Sequence, residues 1–461
     1  MFTGEVPEYP EVAFDNFTRR KAIYFLSHAH SDHTTGLLSV SWPCRVYCSH
    51  ATRKLLLANS CYAELHSVLI PLPLGHVTQI VYVDAQMPVL NVLLLPAGHC
   101  IGSTMIYLAG PSGAILYSGD FRLSSEALEQ FHTRLPSSVQ SLYLDTTFFH
   151  PSWSHIPTRE FAVRCAVRVI RQWLQSLGLT RRIDGSLTGR CLVYICLRTH
   201  FVYEHLLESL ATHFDTKIYV RPKMAELYSR LSEHVLATHL CSDPDATWIH
   251  VCSEQKHIHG ARRVGSIREP NSSSHHKRLE KRRKGGLPSV PATYLNENVG
   301  ETWTEAIHYV PTLTIIPTAM WFGLSHHILQ SRGFAFVPSR NPCEKVVRLL
   351  YCTHASYSEM IEFVRQLRPR TAVACVVPRG DTEETVQARL DQLVREVQMV
   401  EHNISPSTVG SLVDCCAKNS STGSPFMESF LRFAEHRRQN LTFSRAELSS
   451  DDPSQLDFVF S

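Results

Sequence analysis

Long hydrophobic runs are missing. Nowhere in the 461 residues do about 18 apolar positions follow one another, which excludes a membrane-spanning helix and a membrane partner. The opening stretch, "MFTGEVPEYPEVAFDNF", lacks the basic start and apolar core of a signal peptide, so a soluble intracellular protein is expected. None of the 14 cysteines stands in a C-x-x-C pair and only Cys415 and Cys416 are adjacent. That rules out a dense disulfide framework and predicts buried thiols in a reducing compartment. Charge of one sign is also not in excess. With 45 Lys and Arg against 42 Asp and Glu, the net charge is +3, so a polyanion would be met by local clusters or bound metal, not by a global field.

What is present is enough apolar material, 44%, for two or three packed units, at roughly 100 to 200 residues per domain. From Lys21 to Phe148, β-branched runs alternate with Gly, Pro, Asp and Ser turns: "AIYFL", "RVYCS", "NVLLLPAGH", "TMIYLAG", "GAILYSGDF" and "SLYLDTTF". These read as short strands, with one helix in "ATRKLLLANS". "PTREFAVRCAVRVIRQWLQSLG" then predicts an amphipathic helix capped by Thr158, with Cys165, Val169 and Trp173 on its apolar face. Alternating strands and helices follow, as in a second, smaller sheet of βα units.

Residues 261 to 300 lose this periodicity. Nine Lys or Arg fall between Ala261 and Lys284 against two Glu, which reads as a solvated loop, a nuclear localisation signal or a phosphate-binding arm. "TAVACVVPRG" reads as a buried strand and "DTEETVQARLDQLVREVQMV" as a helix with the capping pair Asp381 and Glu384. Beyond about residue 403 a Ser-rich tail is expected.

"SHAHSDHTTG" places His28, His30, Asp32 and His33 within six positions after an apolar strand. An extended backbone would point His28 and His30 the same way, and imidazole with carboxylate suits a catalytic zinc with open positions. His99 in "PAGHC" and Asp120 in "YSGDF" also end apolar strands. If those strands neighbour the first in one sheet, the three loops meet at one edge. Alone, His99 and Asp120 would read as turn residues.

"HAHSDH", "PAGHC" and "YSGDF", in this order, resemble the metallo-β-lactamase fold. "YLDTTF", with Asp145, and "THASYSE", with His354, resemble the added motifs of its β-CASP nuclease subfamily, above all of the DNA-repair members. The resemblance spans about residues 8 to 400 and implies an α/β fold, a metallo-β-lactamase αββα sandwich with an inserted β-CASP α/β domain. The units would be residues 1–149 and 346–402 for the sandwich, 150–345 for the insert, and 403–461 for the tail.

By resemblance, His28, His30, His99 and Asp120 would hold one zinc firmly. Asp32, His33 and a bridging Asp120 would hold a second ion, which Mg or Mn could replace. Asp15, Asp32, Asp120, Asp145 and His354 would be catalytic. Asp145 would orient a histidine and His354 would face the scissile phosphate. Ser356 and Ser358 would help cradle it, or else serve as helix N-caps. The resemblance further implies a monomeric nuclear enzyme that cuts DNA hairpins, overhangs and single-to-double-strand junctions, as endonuclease and 5′-exonuclease, in end joining of double-strand breaks, with a DNA-dependent protein kinase as partner.

RNA-cleaving members resemble one another in a histidine that falls here at Val376, so the pattern is the DNA type with fewer second-site ligands. An RNA-processing nuclease and a non-catalytic scaffold are the other readings. DNA-repair members also carry a structural zinc in the insert. His250 and Cys252 match two of its ligands, but the third falls at Tyr219 and no cysteine occurs from Ser253 to Pro342. Either His257 and His259 stand in or that site is lost.

Overall fold

The computed structural model describes residues 2–41, 44–81, 89–180, 182, 187–199, 201–231, 236–253, 310–323, 332–339 and 343–402. The basic segment 261–300, His257, His259 and the tail 403–461 lie outside the described residues.

Four short strands, β1 (Val12–Phe14), β2 (Ile23–Phe25), β3 (Arg45–Ser49) and β4 (Leu69–Leu72), pair in parallel in that order. Helix α1 (His50–Leu57) follows β3, started by Ser49, whose hydroxyl accepts from the Thr52 N–H. The second sheet contains β5 (Thr78–Ile80), β6 (Leu90–Pro96), β7 (Thr104–Gly110), β8 (Gly113–Tyr117) and β9 (Ser141–Leu144), with helix α2 (Ser125–Glu129) between the last two. Neighbours from β5 to β8 run antiparallel, and β9 runs parallel to β8.

Side-chain alternation explains how these sheets stack. Val92 and Leu94 of β6 and Ile106 and Leu108 of β7 meet Phe14, Phe25 and Tyr47 of the first sheet. Their neighbours Leu93, Leu95, Met105 and Tyr107 face the other way into a second core. Both faces are apolar because both are covered, and each such side chain contributes about 1.5–3 kcal/mol on full burial.

Helix α3 (Arg159–Ser176) begins the third unit with Thr158 as its cap, its hydroxyl 3.2 Å from the Phe161 N–H, and buries Cys165, Val169 and Trp173 as the spacing predicts. Then come β10 (Leu192–Leu197), α4 (Glu204–Phe214), β11 (Ile218–Tyr219), α5 (Pro222–Ser229), α6 (Leu236–His239), β12 (Leu240–Cys241), β13 (Ile249–Ser253), β14 (Thr312–Thr318), β15 (Phe334–Val337) and β16 (Glu344–Leu350). They form a seven-stranded sheet in the order β12-β11-β13-β10-β14-β16-β15, parallel except for β15.

After β16 the chain returns to the second sheet through α7 (Tyr357–Leu367), β17 (Thr371–Ala374) and α8 (Glu383–His402). Met360 and Phe363 of α7 and Val386, Leu390 and Val394 of α8 join Leu93 and Leu95 in one core. On the far side, Leu56 of α1 packs with Tyr24, Leu26 and Val46. The layers are therefore helix, sheet, sheet, helix, with a further α/β unit attached.

Two local expectations change. The strand expected to be buried, β17, sits at the sheet edge and, among the described residues, pairs only with β9; Thr371 is exposed and Ala374 half-buried. The α8 cap is Thr382, whose hydroxyl accepts from the Thr385 N–H at 3.3 Å. Asp381 is instead drawn into a two-pronged ion pair with Arg389 at 2.9 and 3.0 Å.

Candidate metal centre

Every loop that carries a chemically distinctive residue leaves the C-terminal end of a strand: Asp15 after β1, His28 to His33 after β2, His99 after β6, Asp120 after β8, Asp145 after β9 and His354 after β16. The strands are not neighbours in one sheet, as the sequence suggested. They belong to three sheets whose ends meet at one edge, where carbonyls and side chains converge as in other α/β proteins.

Turn geometry at this edge depends on residues that tolerate positive φ. Gly98 sits at φ +71°, and a Cβ there would lie 2.3 Å from the Arg122 carbonyl oxygen, so only glycine lets the His99 loop pass. Asp15 adopts φ +52°, which a short polar side chain tolerates better than most.

Three imidazoles converge at their front nitrogens. His28 Nε2 lies 2.8 Å from His30 Nδ1, which lies 3.2 Å from His99 Nε2. Their rear nitrogens fix the tautomers. His99 Nδ1 donates to the Thr353 carbonyl at 3.1 Å and His30 Nε2 donates to the Phe201 carbonyl at 2.8 Å. Ser27 Oγ gives its proton to Asp15, so it accepts from His28 Nδ1 at 2.9 Å. Each front nitrogen is then a bare lone pair aimed at two others, an arrangement that calls for a cation.

Asp120 spans the cluster with its two oxygens. Oδ2 is 3.7 Å from His28 Nε2 and 3.5 Å from His99 Nε2, while Oδ1 is 3.4 Å from His33 Nε2. Asp32, largely exposed, brings Oδ2 to 3.8 Å from His33 Nε2. Asp15 anchors the rear of His33 at 2.7 Å and accepts from Tyr117 at 2.9 Å. His354 Nδ1 meets Asp145 Oδ2 at 2.8 Å, and its Nε2 lies 3.9 Å from Asp120.

The protonation states divide the histidines into two groups. Burial, reinforced by His33, pushes His28 well below its ordinary value, and burial takes His99 down to about 3. Burial also lowers His30. Burial would lower His33 too, but Asp120 and Asp15 outweigh it and hold His33 well above its ordinary value. Asp145 and Asp120 likewise overcome burial at His354 and raise it to about 9. Burial opposes the charge on Asp120, yet His33, His354 and His99 keep its carboxyl well below the usual range. The neutral imidazoles and ionised carboxylate are ready metal ligands.

A family model for a β-lactamase superfamily domain matches residues 12–175. The chain is 29% identical over 444 residues to Protein artemis from Gallus gallus, covering 91% of this chain and 53% of that one. It is 29% identical over 423 residues to Protein artemis from Homo sapiens, covering 88% and 53%. It is 28% identical over 375 residues to 5′ exonuclease Apollo from Rattus norvegicus, covering 80% and 54%. The chain is an Artemis/Apollo-like metallo-β-lactamase homologue. It spans about half the length of the relatives it matches. Its layered fold with an attached α/β unit is that of the superfamily with a β-CASP insertion, and its His/Asp cluster is of the superfamily's metal-site type.

Some anticipated residues lie elsewhere in this homologue. Ser356 is the N-cap of α7, in a capping box with Glu359, and the Ser358 hydroxyl donates to the Ser154 carbonyl. Ser356 thus takes the N-cap place that was the alternative for both serines, and Ser358 does not. His250 Nε2 bonds the Thr247 carbonyl at 2.9 Å, and the Cys252 sulfur lies against that of Cys196. No third ligand gathers with this pair among the described residues. Val376 bonds Thr146 through its backbone.

Sequence reasoning missed Ser27, Tyr117, the Phe201 and Thr353 carbonyls, and Cys100, whose sulfur is within 4.8 Å of the ligand atoms of His28, His30 and His99. Burial holds the Cys100 thiol of the metal-free protein well above its ordinary range. Ser27, which abuts the histidine motif, and Cys100, which follows His99, had a signal in the sequence.

Proposed function

We propose that this protein is a zinc-dependent nuclease that hydrolyses DNA phosphodiesters. The observation that carries the reading is the set of three lone pairs, on His28, His30 and His99, fixed by rear hydrogen bonds and flanked by Asp120. These four residues would hold the first zinc. Asp32, His33 and Asp120 would hold a second ion, zinc or its Mg or Mn substitute, more weakly because Val376 adds no ligand.

Bound ions would neutralise the anionic phosphodiester and lower the pKa of a water molecule. Asp120 serves both positions through separate oxygens. His354, held by Asp145 at 2.8 Å, would give a proton to the departing 3′-oxygen, leaving a 5′-phosphate and a 3′-hydroxyl. Asp15 holds His33 from behind.

The substrate class comes from the relatives, of which one is named a 5′ exonuclease. From the motif resemblance we further propose that the protein acts on hairpins, overhangs and strand junctions, as a nuclear monomer in end joining with a DNA-dependent protein kinase as partner. Residues 150–345 would be the inserted domain, long enough to hold a polymer substrate against the metal centre. Matched DNA and RNA hairpins digested side by side test this. DNA cleavage alone is expected, RNA cleavage alone supports an RNA-processing nuclease, and no cleavage by zinc-loaded protein supports a scaffold.

A further inference from the structure

Two backbone carbonyls from loops that leave the third sheet touch the metal cluster, that of Thr353 after β16 on His99 and that of Phe201 after β10 on His30. After β10 the chain swings over the cluster, and the Phe201 carbonyl meets His30 Nε2 at 2.8 Å, across 171 residues of sequence. This bond selects the His30 tautomer whose Nδ1 lone pair enters the cluster. A carbonyl in a connecting loop would do this poorly unless the loop were fixed.

Glu204 fixes it. At the first position of α4, its carboxylate turns back and accepts the Val202 N–H with both oxygens, each at 3.1 Å. Val202 has φ 154°, a positive value that a β-branched residue adopts only when its surroundings impose it. The carboxylate is itself held by the Tyr228 hydroxyl at 2.8 Å. Both side chains are buried, at 5% and 1% exposure, and burial raises the Glu204 pKa. A buried carboxylate is costly and needs its partners. Here those partners include the amide directly following the carbonyl that orients a ligand. Glu204 also lines a cavity of about 300 Å³ with His99, Cys100 and Arg159, which places it beside the cluster.

We infer that Glu204 is a positioning residue for the metal centre: by pinning the Val202 amide it holds the Phe201 carbonyl on His30 and keeps the His30 Nδ1 lone pair directed at the ion. The inference rests on the reading of His30 as a zinc ligand. Through this link the loop after β10, although it contributes no ligand side chain, sets the affinity of a site built on the sandwich.

The test measures zinc affinity of the full chain by chelator competition, with the absorption spectrum of the cobalt-substituted protein as a second readout. Loss of an orienting partner weakens metal binding by roughly 10- to 100-fold, and Glu204 acts one link further out, so Glu204→Ala should bind zinc about tenfold more weakly. Glu204→Gln, which keeps an acceptor in place, should restore both affinity and spectrum. Glu204→Asp, retracted by one methylene, should fall between. Folded Ala or Asp variants with parental affinity and spectrum would overturn the inference while leaving the zinc reading intact. A parent that binds no zinc would overturn both. Nitrogen-15 spectra of the labelled parent give the check that needs no variant: His30 protonated at Nε2 is expected, and a proton on Nδ1 refutes the inference.

Discussion

His354 and Asp145, 209 residues apart, meet with Nδ1 2.8 Å from Oδ2, and the imidazole so held lies 3.9 Å from Asp120. In the metal-free protein Asp145 and Asp120 raise His354 to about 9, and its ligand atom gathers with those of His99 and Asp120; its proposed role is that of proton donor. His354→Ala should lower turnover by about 10²-fold or more and leave first-site zinc content unchanged. Asp145→Asn removes the charge that raises His354, so the alkaline limb of the rate profile should move to lower pH. Near-parental activity in His354→Ala, read beside a metal count, removes the role.

The metal-free protein should be most stable near pH 6 to 7. His33 and His354 are raised above the ordinary 6.5, His354 to about 9, so their contribution is complete below 6.5 and is lost as pH rises through their folded values. His28 and His99 are lowered, His99 to about 3. They must stay neutral when folded, so stability falls as pH drops below 6.5. Thermal unfolding of chelator-treated protein from pH 5 to 9 should trace this maximum, and a stability that rises steadily to pH 9 contradicts it.

Gly98→Ala should cost about 1–3 kcal/mol, the range for a residue forced into an unfavourable backbone region. The new methyl would press on the Arg122 carbonyl at 2.3 Å, and relief of that clash shifts His99. Urea unfolding should show the loss, with weaker zinc retention in the same sample.

Arg122 joins layers that are distant in sequence. Its guanidinium donates to the Cys352, Ile156 and Pro157 carbonyls and to Glu359, and its side chain is 3% exposed. Removing one partner of a buried pair costs roughly 3–5 kcal/mol, and the partial exposure of Glu359 places Arg122→Met near the lower end. Denaturant titration measures it.

Much of the sandwich was legible because its strands are short apolar runs closed by turns. "NVLLLPAGH" and "TMIYLAG" became β6 and β7, and the helix capped by Thr158 became α3. The histidine cluster was legible because His28, His30 and His33 fall within six positions. The three-residue strands β1 and β5 were too brief to show a period. Glu204 and Phe201 gave no signal because their role depends on a contact with a loop more than 170 residues away. Thr382 displaced the expected Asp381 cap because Arg389, eight residues on, recruits the carboxylate.

The most direct test is cleavage of 5′-labelled hairpin DNA by the purified chain, with and without chelator, beside Asp120→Asn. Cleavage that chelation abolishes, zinc restores and the substitution lowers by about 10²-fold or more is the expected result. Hairpins left intact by the zinc-loaded protein, or cut equally well in chelator, would contradict it.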